Sequence, residues 1–223
     1  MALLYLLSVE EFFRQASETE KNDFIKKQLP YLPQERQEKI RSFHFAEDGL
    51  RSLFVYFLLK KALADNFALS EKPRIRRTPQ GKPFLQDYPE IFFSFSHSKG
   101  TVGCAVDQRE IGLDIEDYLA YEEELAERFC SEKELKMLES LQPEEKAKAL
   151  SRLWVLKEAW TKQQGLGLLQ DFRELDFSQV EDSYKGQRLC FFEKKIGCFG
   201  LSMSERSPLE IRESEINSLG ELL

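Results

Sequence analysis

An α+β protein is predicted by the order in which two hydrophobic periods follow one another along the chain: helix-spaced segments precede strand-spaced segments, and this happens twice. In the first half, residues 33–64 carry an apolar stripe through Ile40, Phe43, Leu50, Phe54, Phe57 and Leu58 at helical spacing. Three short runs come later, "IFFSFSH", "TVGCAV" and "IGLDIE", parted by "SKG" and "DQRE". Their lengths and tight turn signals predict an antiparallel meander. The second half repeats the order, with helical patterns over 122–141 and 143–164 and then "ELDFSQV", "QRLCFFEK" and "GCFGLSM" as strands. Pro143 suits a helix first turn and Gly165 a C-terminal cap. A boundary between two subdomains is expected near Asp107–Glu110, although no residue-level repeat relates the halves.

The composition supports a folded protein. With 42% hydrophobic and 12% aromatic residues, 18 of them Phe, the 223-residue chain has the apolar surface that disordered chains lack. "ALLYLL" near the N-terminus is too short to span a bilayer, follows Met1 with no basic segment and runs into Glu10 and Glu11, so a core strand is expected there. Cys104, Cys130, Cys190 and Cys198 form no close pair of the kind used by zinc or thioredoxin-like sites, and reduced thiols in a cytoplasm are expected. A formal charge of −7 argues against general nucleic-acid binding. The cations nevertheless cluster in the first half, notably in "KPRIRRTPQGKP", where a face for a multiply phosphorylated small molecule competes with a merely solvated charge run.

In "IGLDIEDY" the strand period sends Ile111, Leu113 and Ile115 to one face and Asp114 and Glu116 to the other. Two carboxylates on one face repel unless a cation or water separates them. Trp154, Glu158 and Lys162 recur at four-residue steps in "RLWVLKEAWTK" and share a helix face, where Glu158 and Lys162 also have the bland reading of an i,i+4 pair. If the fold brings helix and strand together, Asp114, Glu116 and Glu158 form a set of hard oxygen ligands suited to Mg²⁺. His97 ends the strand "FSFSH" beside Ser96, as either a phosphate contact or a structural group. No Walker A loop, dinucleotide fingerprint, nucleophile elbow or H-E-x-x-H motif occurs.

Taken in order, "GKP" at 81–83, "SHS" at 96–98, "GLDIE" at 112–116 and "WVLKEAWTKQQGLGL" at 154–168 resemble the motifs of 4′-phosphopantetheinyl transferases of the surfactin-synthetase-activating type. The resemblance implies a fold of two similar subdomains, each a small antiparallel sheet packed with helices and related by a pseudo-two-fold axis, divided here as 1–108 and 109–223. It implies Mg²⁺-dependent transfer of 4′-phosphopantetheine from coenzyme A, as co-substrate, to a serine of an apo acyl or peptidyl carrier protein, releasing adenosine 3′,5′-bisphosphate. Mn²⁺ is an admissible substitute, and fatty-acid, polyketide and nonribosomal-peptide carriers are all admissible partners. A non-catalytic coenzyme A-binding or carrier-binding module on the same fold is the alternative.

By the same resemblance Asp114, Glu116 and Glu158 would hold the metal, and Lys162 would contact phosphate. Glu158 is also the candidate to deprotonate the carrier serine, the two roles competing for one carboxylate. Lys82, Ser96 and His97 would surround the adenine nucleotide and its 3′-phosphate, with Arg36, Lys39 and Arg51 as further phosphate contacts from "ERQEKIRSFHFAEDGLR". Glu134 matches an acid of "RFCSEKELKML" without an assignable role. Tyr118, Leu119 and Tyr121 are candidates for either a carrier-docking surface or the core. A cytoplasmic monomer is expected, with no nucleic-acid or membrane partner.

Overall fold

The computed structural model describes residues 1–69, 72–167, 171–194 and 197–215. Two four-stranded sheets pack face to face, with one long helix outside each. The first sheet has the order β10-β1-β5-β4, from Leu209–Glu215, Ala2–Ser8, Thr101–Asp107 and Phe92–His97. The second has the order β6-β9-β8-β7, from Gly112–Asp117, Gly197–Ser204, Gln187–Glu193 and Ser183–Tyr184. A separate hairpin joins β2 (Ile75–Arg77) to β3 (Pro83–Leu85).

The uninterrupted apolar run of β1 follows from its place in this stack. Leu3, Tyr5 and Leu7 face α4 (Ala46–Phe67), whereas Ala2, Leu4 and Leu6 face the second sheet, so both faces of the strand are buried. The inter-sheet core also takes Ala105, Leu113, Ile115, Phe199 and Leu201. That fixes the register of β6: with its odd positions in this core, Gly112, Asp114 and Glu116 turn to the opposite face. There α7 (Pro143–Gln164) crosses at very short range. A Cβ on Gly112 would lie 1.9 Å from the Ala159 carbonyl oxygen, and one on Gly200 2.5 Å from that of Val155.

Several expectations need correction. The helix expected over 33–64 is two, α3 (Gln34–Arg41) and α4, because the chain turns at Ser42–Phe45 and leaves Phe43 and Phe45 exposed. The pattern over 122–141 likewise divides into α5 (Glu123–Phe129) and α6 (Glu132–Glu139), where Ser131 starts a new capping box with Glu134. Only β4 and β5 of the expected meander pair with each other. After them the chain crosses to the second sheet, where β6 pairs antiparallel with β9. The first sheet is mixed, since β10 returns to pair parallel with β1. Two shorter helices, α1 (Glu10–Gln15) and α2 (Glu18–Gln28), complete the first half. The core strand at the N-terminus, the helix over 143–164 and its left-handed cap at Gly165 (φ +70°) stand as expected, and all four cysteines are free. Among the described residues no helix is long and apolar enough to cross a membrane.

The approach of α7 to β6 gives a direct test. Gly112→Ala places a methyl group against helix backbone that cannot rotate away, and is expected to cost about 1–3 kcal/mol or more of overpacking. Urea unfolding measures it, and a loss below about 0.5 kcal/mol would show that helix and strand can separate freely.

Candidate active site

Where β4 and β6 meet, two sheet edges face one another without pairing as a ladder. Instead the hydroxyl of Ser94 accepts from Leu113 N–H at 3.0 Å, and that of Ser96 accepts from Ile115 N–H at 3.0 Å. The alternation in "FFSFSH" explains this, because Phe93 and Phe95 turn toward the first core while the serines turn toward β6. Ser96 then donates to Asp114 Oδ1 at 2.9 Å. Lys162 reaches the same oxygen from α7, with Nζ at 2.6 Å, and lies 4.0 Å from Glu158 Oε2.

This group opens into a cavity of about 520 Å³ that draws on both halves of the chain. Arg36, Lys39, Arg77 and Lys82 supply cations, Ser94, Ser96 and His97 line the β4 side, and Asp114, Glu116 and Lys162 close the far side. Val55, Phe93 and Phe95 give it an apolar floor. The rim is made where Gly167, with φ +61°, meets the β2–β3 turn so closely that a Cβ would lie 2.7 Å from the Gln80 carbonyl oxygen.

Of the residues singled out in the sequence, Arg36, Lys39, Lys82, Ser96, His97, Asp114, Glu116 and Lys162 line this one cavity. Arg36 is buried and donates twice to Ser52, which leaves its Nε without a partner. Lys82 is held by Glu110 and by the Gln163 carbonyl. Arg51 stands apart, lining a separate open cleft. Its guanidinium pairs with Glu47 and Asp48 and donates to the Ser98 and Lys99 carbonyls, so it pins the turn that follows His97. Glu158 lines a neighbouring apolar groove with Leu125, Phe129, Trp154 and Phe172, to which Lys162 and Gly167 also contribute.

The charges act on one another across this space. Loss of solvent, then the nearby positive charges of Arg36 and Arg77, pull Lys39 down to about 8. Loss of solvent, then the charges of Arg51 and Lys162, hold His97 below its usual range and so favour a neutral imidazole near pH 7. Burial raises both Glu116 and Glu158, and the charge of Asp114 raises them further while that of Lys162 opposes the shift.

Among the described residues no three His, Cys, Asp or Glu side chains converge closely enough to hold a metal ion by themselves. The donors nevertheless suit a small hard cation. Asp114, Glu116 and Glu158 offer carboxylate oxygens only, and Asp114 Oδ2 is buried without a hydrogen-bond partner. Such a cation would need further ligands from water or from a substrate phosphate.

Sequence reasoning noticed Arg77 only as part of the basic run at 72–83, and it missed Ser94 and, above all, Lys157. This lysine is fully buried and reaches Glu134 at 2.5 Å and the carbonyls of Phe129 and Phe172 at 2.9 Å each. Glu134 in turn accepts from Ser131 N–H and Phe177 N–H. The acid without a role is therefore half of a buried ion pair that ties the two aromatic walls of the groove to α7. Tyr118 is exposed and donates to Glu193, whereas Leu119 and Tyr121 pack against the second half's core.

The family model described as the 4′-phosphopantetheinyl transferase superfamily matches residues 110–206, and that described as 4′-phosphopantetheinyl transferase, N-terminal, matches residues 18–109. The chain is 35% identical over 142 residues to 4′-phosphopantetheinyl transferase Sfp of Bacillus subtilis, covering 63% of each chain. It is 32% identical over 167 residues to 4′-phosphopantetheinyl transferase psf-1 of Bacillus pumilus, covering 74% of this chain and 71% of that one. Over 96 residues it is 42% identical to 4′-phosphopantetheinyl transferase HetI of a Nostoc species, covering 40% of each. The first of these matches thus spans somewhat less than two thirds of the relative's length.

The buried pair makes a stability prediction. Lys157→Met strands the Glu134 charge and is expected to cost about 3–5 kcal/mol, part of which Glu134→Gln in the same chain should restore. Urea unfolding of both variants reads the difference. A double variant no more stable than the single one would mean that the unpaired charge is not the source of the loss.

Proposed function

Because the chain belongs to the 4′-phosphopantetheinyl transferase family, we propose that it transfers the 4′-phosphopantetheine group of coenzyme A to a serine of an apo acyl or peptidyl carrier protein. The observation that carries this reading is the cavity at β4 and β6, where cations from one half of the chain face carboxylates and Lys162 from the other. A nucleotide bearing a 3′-phosphate and a pyrophosphate needs that combination: cations for the phosphates, and a polarised end where the reacting bond lies. The division at 1–108 and 109–223 would place the site between the halves of one chain. A single copy then suffices, and four free thiols suit a reducing cytoplasm.

In this reading Lys39, Arg77, Lys82 and Arg36 attract the phosphates of the nucleotide, and neutral His97 with Ser96 offers hydrogen bonds at the end of β4. Asp114, Glu116 and Glu158 would hold Mg²⁺ or Mn²⁺. When bound, the ion neutralises charge on the pyrophosphate oxygens. The groove of Leu125, Phe129, Trp154 and Phe172 suits the uncharged pantetheine arm, because it meets the phosphate cavity at Lys162 and Gly167. The carrier's serine oxygen attacks the phosphorus that bears the arm, and Glu158 is the candidate to take the serine proton, directly or through water, in competition with its metal-binding role. The new O–P bond forms as the bond to the bridging oxygen breaks. That oxygen keeps the electron pair, and adenosine 3′,5′-bisphosphate leaves with Lys162 beside its developing charge. The nucleophile belongs to the partner, so no internal serine need be activated.

Mixing the protein with coenzyme A, Mg²⁺ and an apo carrier protein should add one phosphopantetheine to the carrier, read by mass spectrometry; no gain across acyl and peptidyl carriers would refute the activity. In the same assay Asp114→Ala and Glu158→Ala should each lower turnover by roughly 10²-fold or more while leaving the fold intact by circular dichroism. Parent-level turnover in either variant would move the reacting centre elsewhere.

Lys39 supplies a pH prediction. The amine is charged below about 8 and loses its charge above it, whereas nucleotide phosphates are already close to fully ionised, with second pKa values about 6. Affinity for adenosine 3′,5′-bisphosphate should therefore fall as pH rises from 7 to 9, and Lys39→Gln should flatten the profile. A parent profile flat over that range would separate Lys39 from the phosphates.

A further inference from the structure

The ammonium of Lys162 already occupies an acid that the proposed metal ion would need. Its Nζ is 2.6 Å from Asp114 Oδ1, 4.0 Å from Glu158 Oε2 and 3.4 Å from Ser96 Oγ. An ordinary i,i+4 pair would run along the helix from Glu158 to Lys162. Here the lysine crosses from α7 to the strand and takes the buried acid, leaving Glu158 as the more distant partner. Its charge also offsets the repulsion that Asp114 exerts on Glu116 and Glu158.

We propose that Lys162 is a tethered counter-ion: it pairs with Asp114 and offsets part of the charge of the three carboxylates until a pyrophosphate draws it away, so that the coenzyme unlocks the cation site. The inference rests on the proposed metal and coenzyme assignments and adds an order of events to them. A divalent ion on Asp114 Oδ1 would meet a like charge within hydrogen-bond distance of the same oxygen, and in a partly buried site that repulsion is poorly screened. The lysine must therefore move for the ion to enter. It is able to do so, since its side chain is 32% exposed, stands on a flexible four-carbon stem and lines both the phosphate cavity and the apolar groove. Asp114, 8% exposed, is held by its bond from Ser96, and its buried Oδ2 has no hydrogen-bond partner.

Two effects follow from linkage. Without nucleotide, the parent should bind a divalent ion weakly, because binding must first displace an internal cation. Removing the lysine's charge should therefore strengthen ion binding in the absence of coenzyme, even though it weakens coenzyme binding. Neither a purely structural role nor a contact with phosphate alone predicts that direction.

The test is the binding of Mn²⁺ itself, followed by the electron paramagnetic resonance signal of the free ion, with no carrier present and no turnover measured. Parent, Lys162→Gln and Lys162→Arg are titrated alone, with coenzyme A, and with adenosine 3′-monophosphate, which lacks the pyrophosphate. We expect Lys162→Gln to bind Mn²⁺ without nucleotide at least about 5-fold more tightly than the parent, the lower end of usual coupling between sites. Lys162→Arg, which keeps the charge, should stay as weak as the parent. In the parent, coenzyme A should tighten Mn²⁺ binding and adenosine 3′-monophosphate should not. Equal or weaker binding by Lys162→Gln overturns the counter-ion role while leaving the metal and coenzyme assignments standing. Failure of the parent to bind Mn²⁺ even with coenzyme A overturns those assignments and the inference with them.

Discussion

The arrangement of the site depends on how two sheet edges are joined at β4 and β6. An unpaired edge presents backbone groups that must find partners, and here the partners are side chains: Ser94 and Ser96 take the N–H groups of Leu113 and Ile115. Because these bonds run to side chains, the two strands need not share a ladder, and each keeps its own sheet. Ser96 then spends its proton on Asp114, so the bond that closes the seam also orients the acid at its centre. A cavity opens at the junction because neither sheet continues across it, and its two walls inherit the opposite charge of the two halves.

The second fixed element is α7. Its approach over Gly112 and Gly200 leaves no room for side chains between helix and strand, which brings Lys162 within reach of Asp114. One residue before Glu158, Lys157 turns the other way into the protein and gathers α6 and the turn at Phe172–Glu174 through a wholly buried ion pair. Neighbouring charges on one helix thus serve different ends, Lys157 as an internal tie and Glu158 and Lys162 as half-buried working groups.

Much of this was legible in the sequence where local chemistry decides the outcome. Pro143 and Gly165 marked both ends of α7, and strict alternation in "IGLDIEDY" placed Asp114 and Glu116 on one face. What was not legible depended on which surfaces meet. Phe43 continued a helical stripe by its spacing, but it and Phe45 face outward. Ser96 was singled out as a nucleotide contact and Ser94 was not, and the seam role of both stayed hidden because nothing local says that another sheet's edge lies against them. Lys157 drew no notice in the sequence, since its partner Glu134 is 23 residues away. The parallel pairing of β10 with β1 joins the two ends of the described chain, a contact that no short-range pattern encodes.

The central claim is that the junction of β4, β6 and α7 receives a pyrophosphate-bearing nucleotide. A crystal structure with coenzyme A and Mg²⁺ tests it most directly. The account predicts density for the nucleotide against Lys39, Arg77 and Lys82, with the pyrophosphate beside Asp114 and Lys162 displaced from Asp114 Oδ1. Nucleotide bound outside this cavity, or bound within it with its pyrophosphate remote from Asp114, would contradict the account.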